Sequence, residues 1–349
     1  MTPSNKKYQM PAEWAHHSAT HIHWPSNHET WPGERLERVE EVYCRFIEEL
    51  HFYEPVHIFL ENKEVKERAV QRLSKRAVDL DRLTLHVQPI NDVWARDCGP
   101  IFVKDEDGYV ILNWGYNAWG EKYPPWEDDN YIPEYVASKY GIRLEEPGMI
   151  LEGGSIEVNG DGLLMTTESV LLNPNRNPDL NRSMIEDQLK KYLGIREVIW
   201  LKRGLAGDDT DGHIDDIARF VNENTVFACM TEDKNDVNYE ALQENLDILR
   251  SYQTGSGDKL NIIPLPMPDC RVEDPTVDGS EYVPASYANF YLANGAVFVP
   301  LYDPKLDAEI LQLFRKYFKH RKVIGIPAKD LVWGQGSLHC ITQQWYSVR

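Results

Sequence analysis

The sequence has no stretch approaching the ~20 apolar residues of a membrane span. Its opening MTPSNKKYQMPAEW lacks the apolar run of a secretory signal. These two absences lead to the expectation of a soluble, cytoplasmic protein. No Lys/Arg-rich block interrupts the acidic composition, 56 Asp and Glu against 37 Lys and Arg for a formal charge of −19, so nucleic acid is not an expected partner. Cysteine is scarce and dispersed. Cys44, Cys98, Cys229, Cys270 and Cys340 are odd in number and contain no C-x-x-C pair, which indicates neither a disulfide framework nor a zinc ribbon.

What is present is material for a folded interior, with 42% hydrophobic and 11% aromatic residues. A chain of 349 residues exceeds the usual single core, leaving two domains or one large repetitive domain closed on itself. The acidic field favours a cationic ligand without requiring one, because salt screens such fields beyond about 8–10 Å.

Leu36, Val39, Val42, Tyr43, Phe46, Ile47 and Leu50 recur at three-to-four spacing and predict an amphipathic helix, with Cys44 as core filling within it. Further helical patterns run over 64–78, 179–194 and 307–320. Between them, two β-rich runs joined by a Gly/Asn/Asp turn recur four times, at 99–114, 154–168, 217–230 and 288–302. Lone strand-like runs, SATHIHWP and LHCITQQW, stand near the two ends. Pairing them makes a fifth hairpin. The expectation is an α/β ring of five β/α units in one domain over 1–349, closed so that no sheet edge is left open. A two-domain α/β protein is the competing architecture.

Polar residues collect where these hairpins begin: VWARDCGP, LEGGS, TDGHIDD and GQGSLHC. In a radial arrangement Asp97, Glu152, His213, Asp215 and Cys340 share one end of the axis. If His213-Ile214-Asp215 is extended, His213 and Asp215 face one side, fit for a metal, for proton transfer beside a cation anchor, or for a plain turn. Two residues are too few for a metal site. Asp97 reads as a turn residue or, beside Trp94, as a carboxylate with an aromatic wall suited to a flat cation. Glu152 before Gly153-Gly154 is ambiguous between a bulge and a site. Cys340 reads as a buried strand cysteine or as a nucleophile; on an extended strand His339 faces away from it, leaving His213 as its proton partner with Glu152 as orienter. The run HHSATHIHWPSNH suggests either a metal site or an ordinary first strand with His21 and His23 on its outer surface.

Six ordered segments, from MPAEW and WPSNHETWPG through VWARDCGP, LEGGSIEVNGDG and TDGHIDDIARF to GSLHCITQQ, closely resemble the agmatine deiminases and bacterial peptidyl-arginine deiminase-like proteins of the guanidine-modifying pentein superfamily. The resemblance implies a five-fold pseudosymmetric α/β propeller (a pentein), no metal or other cofactor, and a homodimer. It assigns Cys340 as nucleophile, His213 as general acid/base, Glu152 as the acid working with it, and Asp97 and Asp215 as the carboxylates holding a guanidinium. Agmatine ends in an ammonium, for which Trp94, Trp119, Asp208 and Asp209 are the expected surroundings. Two departures from the family pattern stand out: Asp209 where Glu is common, and Gln335 within a stretch usually all glycine. Cys98 replaces a common Thr and reads as packing. Arg219, on the strand beyond Asp215, would suit a substrate carboxylate. The readings carried forward are an agmatine deiminase, a deiminase or amidinotransferase of another guanidine such as arginine, and a non-catalytic binder of cationic ligands.

Overall fold

The computed structural model describes residues 8–347. Among these residues, sixteen strands form five separate sheets. The first, of four strands, contains β1 (Ala19–His23), β2 (Val56–Leu60), β3 (Leu83–Val87) and the last strand of the chain. The other four sheets repeat one plan, an antiparallel hairpin with a third strand added parallel to its second strand. They are β4 (Ile101–Asp105), β5 (Gly108–Leu112) and β6 (Arg143–Glu145); β7 (Glu157–Val158), β8 (Leu163–Thr167) and β9 (Glu197–Leu201); β10 (Ala218–Asn222), β11 (Thr225–Met230) and β12 (Asn261–Pro266); and β13 (Tyr291–Ala293), β14 (Ala296–Leu301) and β15 (Lys322–Pro327). The final strand, β16 (Thr342–Trp345), pairs antiparallel with β1, Ala19 opposite Trp345 and Ile22 opposite Thr342. The expected fifth hairpin is therefore made by the two ends of the chain, and the repeats form the expected five-fold α/β ring.

Each parallel step needs a crossover, and a helix supplies it. Arg35–Leu50, Lys63–Leu73, Arg182–Leu193 and Asp307–Tyr317 match the four helical patterns, the second and fourth ending earlier than the sequence suggested. Ile132–Tyr140 and Tyr239–Ser251, which periodicity did not single out, fill the same place in their units. Asn62 and Asn181 accept from the backbone N–H groups of Val65 and Met184 and so cap two helix starts. Gly194 ends the second of these at φ 69°. The stripe Leu36, Val39, Tyr43, Phe46, Ile47 and Leu50 is buried against the strands; each large side chain so buried contributes roughly 1.5–3 kcal/mol. No helix among the described residues is long and apolar enough to cross a membrane.

The histidines of the first sheet overturn one expectation. His21 and His23 do not face outward; both are fully buried, because the first sheet is covered on both faces. His57 and His86 on the neighbouring strands are buried with them, joined Nδ1 to Nε2 at 2.9 Å. Phe59 stacks on His86 at 4.4 Å and 7°, and neither ring nitrogen of His21 has a partner. Burial lowers His23 and His57 to about 4 and His86 to about 3, the Lys139 charge adding to the last two, and holds His21 well below its ordinary value. These rings stay neutral when folded but bind protons when unfolded, so their stabilising effect is complete above pH ~6.5 and is lost as the pH falls toward ~4. Urea midpoints should drop across that window, and His21→Phe should flatten the drop; an unchanged slope would remove the histidines as its cause.

Candidate active site

The polar residues sit on tight turns that precede the first strand of each hairpin. Asp97 lies on the one-turn helix Ala95–Cys98 before β4, and Glu152 precedes the 3-10 turn Gly153–Ser155 before β7. His213 and Asp215 flank the start of the 3-10 turn Ile214–Asp216 before β10. The sequence expectation of an extended His-Ile-Asp is thus wrong in local form. Cys340 also lies on a turn rather than in the last strand: the Ile341 amide donates to the Ser337 carbonyl and that of Thr342 to the His339 carbonyl. Alternation does not hold on a turn, so His339 points into the same interior as Cys340. The fourth hairpin contributes Asn289, directly before Phe290 and β13, which sequence reading passed over.

These turns bring five predicted residues together. Asp97 Oδ1 accepts from the Gly154 amide at 2.9 Å and faces His213 Nδ1 at 3.6 Å, while its Oδ2 accepts from Trp119 Nε1 at 3.1 Å. Asp215, Asp216 and Cys340 offer two carboxylate oxygens and a sulfur all within 4.8 Å of one another. Gly154 makes this approach possible, since a Cβ there would stand 2.6 Å from His213 Nδ1 and 2.8 Å from Asp97 Oδ1. Asn289 Nδ2 donates to Asp216 Oδ1 at 2.9 Å and to Cys340 Sγ at 3.2 Å. Its Oδ1 accepts from the His339 amide at 2.8 Å, fixing the turn that presents the thiol.

Behind these groups lies a network the sequence did not show. Arg176 holds Glu152 Oε1 at 2.7 Å and donates to the Thr210 carbonyl at 2.8 Å. Glu152 makes no hydrogen bond to His213 among the described residues; the carboxylate facing that ring is Asp97. Glu152 Oε2, His213 Nε2 and Asp215 Oδ1 are all buried without a protein partner. His339 lies between two carboxylates, Nδ1 at 2.7 Å from Asp215 Oδ2 and Nε2 at 2.6 Å from Glu13 Oε2. A neutral imidazole has only one N–H, so a proton must also sit on one of the acids. Burial favours the neutral ring, and burial and Asp97 push Asp215 well above the carboxylate range. Burial also opposes a charge on Glu13, but Arg219 and His339 outweigh it and hold Glu13 low. Asp215 O–H to His339 Nδ1 and Nε2–H to Glu13 satisfies both nitrogens of the ring.

The site is consequently rich in unneutralised acid. Burial, reinforced by Glu152, raises Asp97 to about 7. Asp216 is driven well up by burial and by Asp215. Burial and the carboxylates of Asp215, Asp216 and Asp97 push the Cys340 thiol well above its ordinary value, while burial and the Arg176 charge hold His213 well below. The same crowding of ligand atoms would also suit a metal ion, as would His23, Cys98 and Asp129 elsewhere, again within 4.8 Å.

Asp97, Asp216 and Cys340 open onto a cleft of about 810 Å³ walled by Trp94 and Trp119. Asp209 lines its wall, Oδ2 accepting from Tyr123 O–H at 2.6 Å, and burial raises it to about 7. His213, Asp215 and Glu152 are buried, Asp215 with a carboxylate oxygen within 4.8 Å of Cys340 Sγ. Two expectations are corrected here. Asp208 does not line the cleft but accepts from the amides of Thr210 at 2.9 Å and His213 at 3.0 Å, fixing the turn. Arg219 is fully buried, clamped by Glu157 at 2.9 Å and Glu13 at 2.7 Å, and does not line the cleft. Cys98 donates S–H to the Trp94 carbonyl at 3.4 Å and packs in the core as expected.

A ring of five β/α units with such a site is the architecture of the guanidine-modifying α/β propellers, and the chain is an enzyme of that class. It belongs to the Porphyromonas-type peptidyl-arginine deiminase family, whose profile matches residues 9–345. It is 35% identical to the agmatine deiminase of Stutzerimonas stutzeri, with 98% of this chain and 96% of that one covered. The structure of the agmatine deiminase of Enterococcus faecalis superposes with a TM-score of 0.88 at 29% identity, covering 97% of this chain and 96% of that one. A cysteine-to-serine variant of the C. jejuni agmatine deiminase with substrate bound gives 0.88 at 29%, covering 100% and 99%.

Gly154→Ala should displace Asp97 and His213 and lower kcat/KM by roughly 100-fold, the cost of about 1 Å of misplacement. Activity within twofold of the parent, in a variant with an unchanged circular dichroism spectrum, would contradict the packing described.

Proposed function

We propose that this protein is an agmatine deiminase, converting the guanidinium of agmatine to a ureido group with release of ammonia. The observation that carries the reading is the charge of the cleft. Its lining holds eight Asp and Glu side chains and, among the described residues, a single Lys or Arg. That residue, Lys122, is engaged by the Asp209 carbonyl at 2.5 Å and by Asp211 Oδ1 at 2.8 Å. A substrate with a cation at each end is welcome there; an α-carboxylate finds no unengaged Lys or Arg among the described lining residues.

The chemistry follows from the floor. A guanidinium, with a pKa of roughly 12.5–13.8, is a planar cation with a poorly electrophilic carbon. Asp97 and Asp215 accept its N–H groups and hold the carbon over Cys340 Sγ. The arriving cation offsets the carboxylates that keep the thiol protonated, lowering its pKa toward the thiolate. The thiol proton passes to His213; sulfur attack forms the C–S bond and a tetrahedral adduct, and that proton, delivered by His213 to the departing nitrogen, lets the C–N bond break and ammonia leave. Water, deprotonated by His213, then attacks the S-alkylthiouronium carbon, and loss of the Cys340 thiolate gives N-carbamoylputrescine. Asn289, donating to Sγ, stabilises the sulfur anion in both steps.

The arginine and peptidyl-arginine reading draws on the family's own description. It is tested together with the first by measuring ammonia from agmatine, free arginine and an arginine peptide. Agmatine should be favoured in kcat/KM by at least about 100-fold, and Cys340→Ser should abolish release from all three. Equal rates on arginine would overturn the assignment, and undiminished turnover by Cys340→Ser would overturn the mechanism.

A further inference from the structure

Gln335 belongs to the loop that leads into Cys340, and its backbone stands at φ 76°, a left-handed conformation that favours glycine. Its neighbours explain why its side chain stands alone. A Cβ on Gly334 would come within 2.5 Å of the Trp31 indole, and one on Gly336 within 2.2 Å of Trp94 Cζ3, so the loop lies flat against two rings. Only position 335 carries a side chain, and that side chain lines the cleft with Cys340, Trp119 and Asp209.

The orientation of its amide is fixed by chemistry. Nε2 lies 3.1 Å from Thr276 Oγ1 and 3.3 Å from Asp278 Oδ1. An ionised carboxylate only accepts, so the nitrogen end must face Asp278. The oxygen end is left over: Oε1 is buried, on a residue only 8% exposed, and has no protein partner. A buried carbonyl without a donor costs free energy that a ligand donor recovers. Strain and an unpaired acceptor at one residue of a cleft are the marks of a contact completed by a ligand. The position of the amide along the cleft points to the donor. Asp278, which anchors Nε2, lies close enough for its charge to act on both Tyr123 and Asp209. Gln335, Tyr123 and Asp209 line one cleft, and Oε1, the end of the amide that is not anchored, is the end free to meet a ligand there. A primary ammonium carries three N–H donors, and Asp209 Oδ2 is already shared with Tyr123. An uncharged acceptor meets that need without adding to the repulsion among the acids on the floor.

We propose that Gln335 selects the substrate: its Oε1 accepts a hydrogen bond from the terminal ammonium of the guanidine beside Asp209, and its anchored Nε2 holds that acceptor in place. This rests on the agmatine reading and extends it to a residue outside the guanidinium-binding set. It also gives the loop of Thr276 and Asp278 a part in recognition, as the support of the acceptor.

The test compares agmatine with n-pentylguanidine, which has the same chain length and a methyl group in place of the ammonium. In Gln335→Met, of similar length and without the acceptor, KM for agmatine should rise about tenfold or more, the loss of one hydrogen bond to a charged group, while kcat/KM for n-pentylguanidine stays within about twofold. Gln335→Gly, which the left-handed backbone accommodates, should shift the ratio the same way and serves where the Met variant does not fold. Equal changes on the two substrates, or no change on agmatine, overturn the proposal and leave Gln335 a loop support. A parent enzyme that does not prefer agmatine to n-pentylguanidine overturns the agmatine reading first, and this proposal with it.

Discussion

Everything at the centre of this protein turns on buried negative charge placed around a thiol. Asp97, Asp215 and Asp216 approach Cys340 with, among the described residues, no Lys or Arg side chain in the cluster. Such an arrangement is costly when empty, and burial favours the protonated forms of the acids and the sulfur. A planar cation relieves the whole set at once. The same event that binds the substrate thus prepares the nucleophile, which is why a thiol resting in so unfavourable a field can serve in catalysis.

The ring supplies that concentration of charge. Five hairpins begin at one end of the axis, and each opens with a turn whose side chains point inward, so Asp97, Glu152, Asp215, Asn289 and Cys340 come from five units. Closure by β16 on β1 carries the end of the chain back to the start, and Glu13 reaches His339 across the same seam. The cations of the interior are held one layer away: Arg176 on Glu152, Arg219 between Glu13 and Glu157. They make the buried acids tolerable without neutralising the ones that face the substrate. Through His339, Glu13 reaches Asp215, so the outer layer also sets where the proton of that pair resides.

The hairpins, their number and their closure were legible because alternation and turn residues are local signals. The residues of the site were legible because they mark the same point of each repeat. What escaped was whatever depended on the form of a turn. Alternation placed His339 opposite Cys340 and His213 beside Asp215 on a strand; both segments are turns, and His339 faces inward. Asn289 could have been found as the fourth hairpin's counterpart of Asp97, but it is uncharged and drew no attention. Asp208 and Arg219 show the converse error, since acids and bases near a site were read as ligand contacts when their partners were a turn amide and two distant glutamates. The buried histidines of β1 were misread because one sequence does not reveal that a strand is covered on both faces.

The central claim is that the empty site holds Cys340 as a thiol and that a guanidinium converts it toward the thiolate. It is tested most directly by titrating the ultraviolet thiolate absorbance of the parent protein against Cys340→Ser, with and without a saturating guanidinium ligand. The account predicts a Cys340 pKa well above that of an ordinary thiol in the free enzyme and a clear fall on ligand binding. A thiolate already present near pH ~7 without ligand, or a pKa that the ligand leaves unmoved, would contradict it.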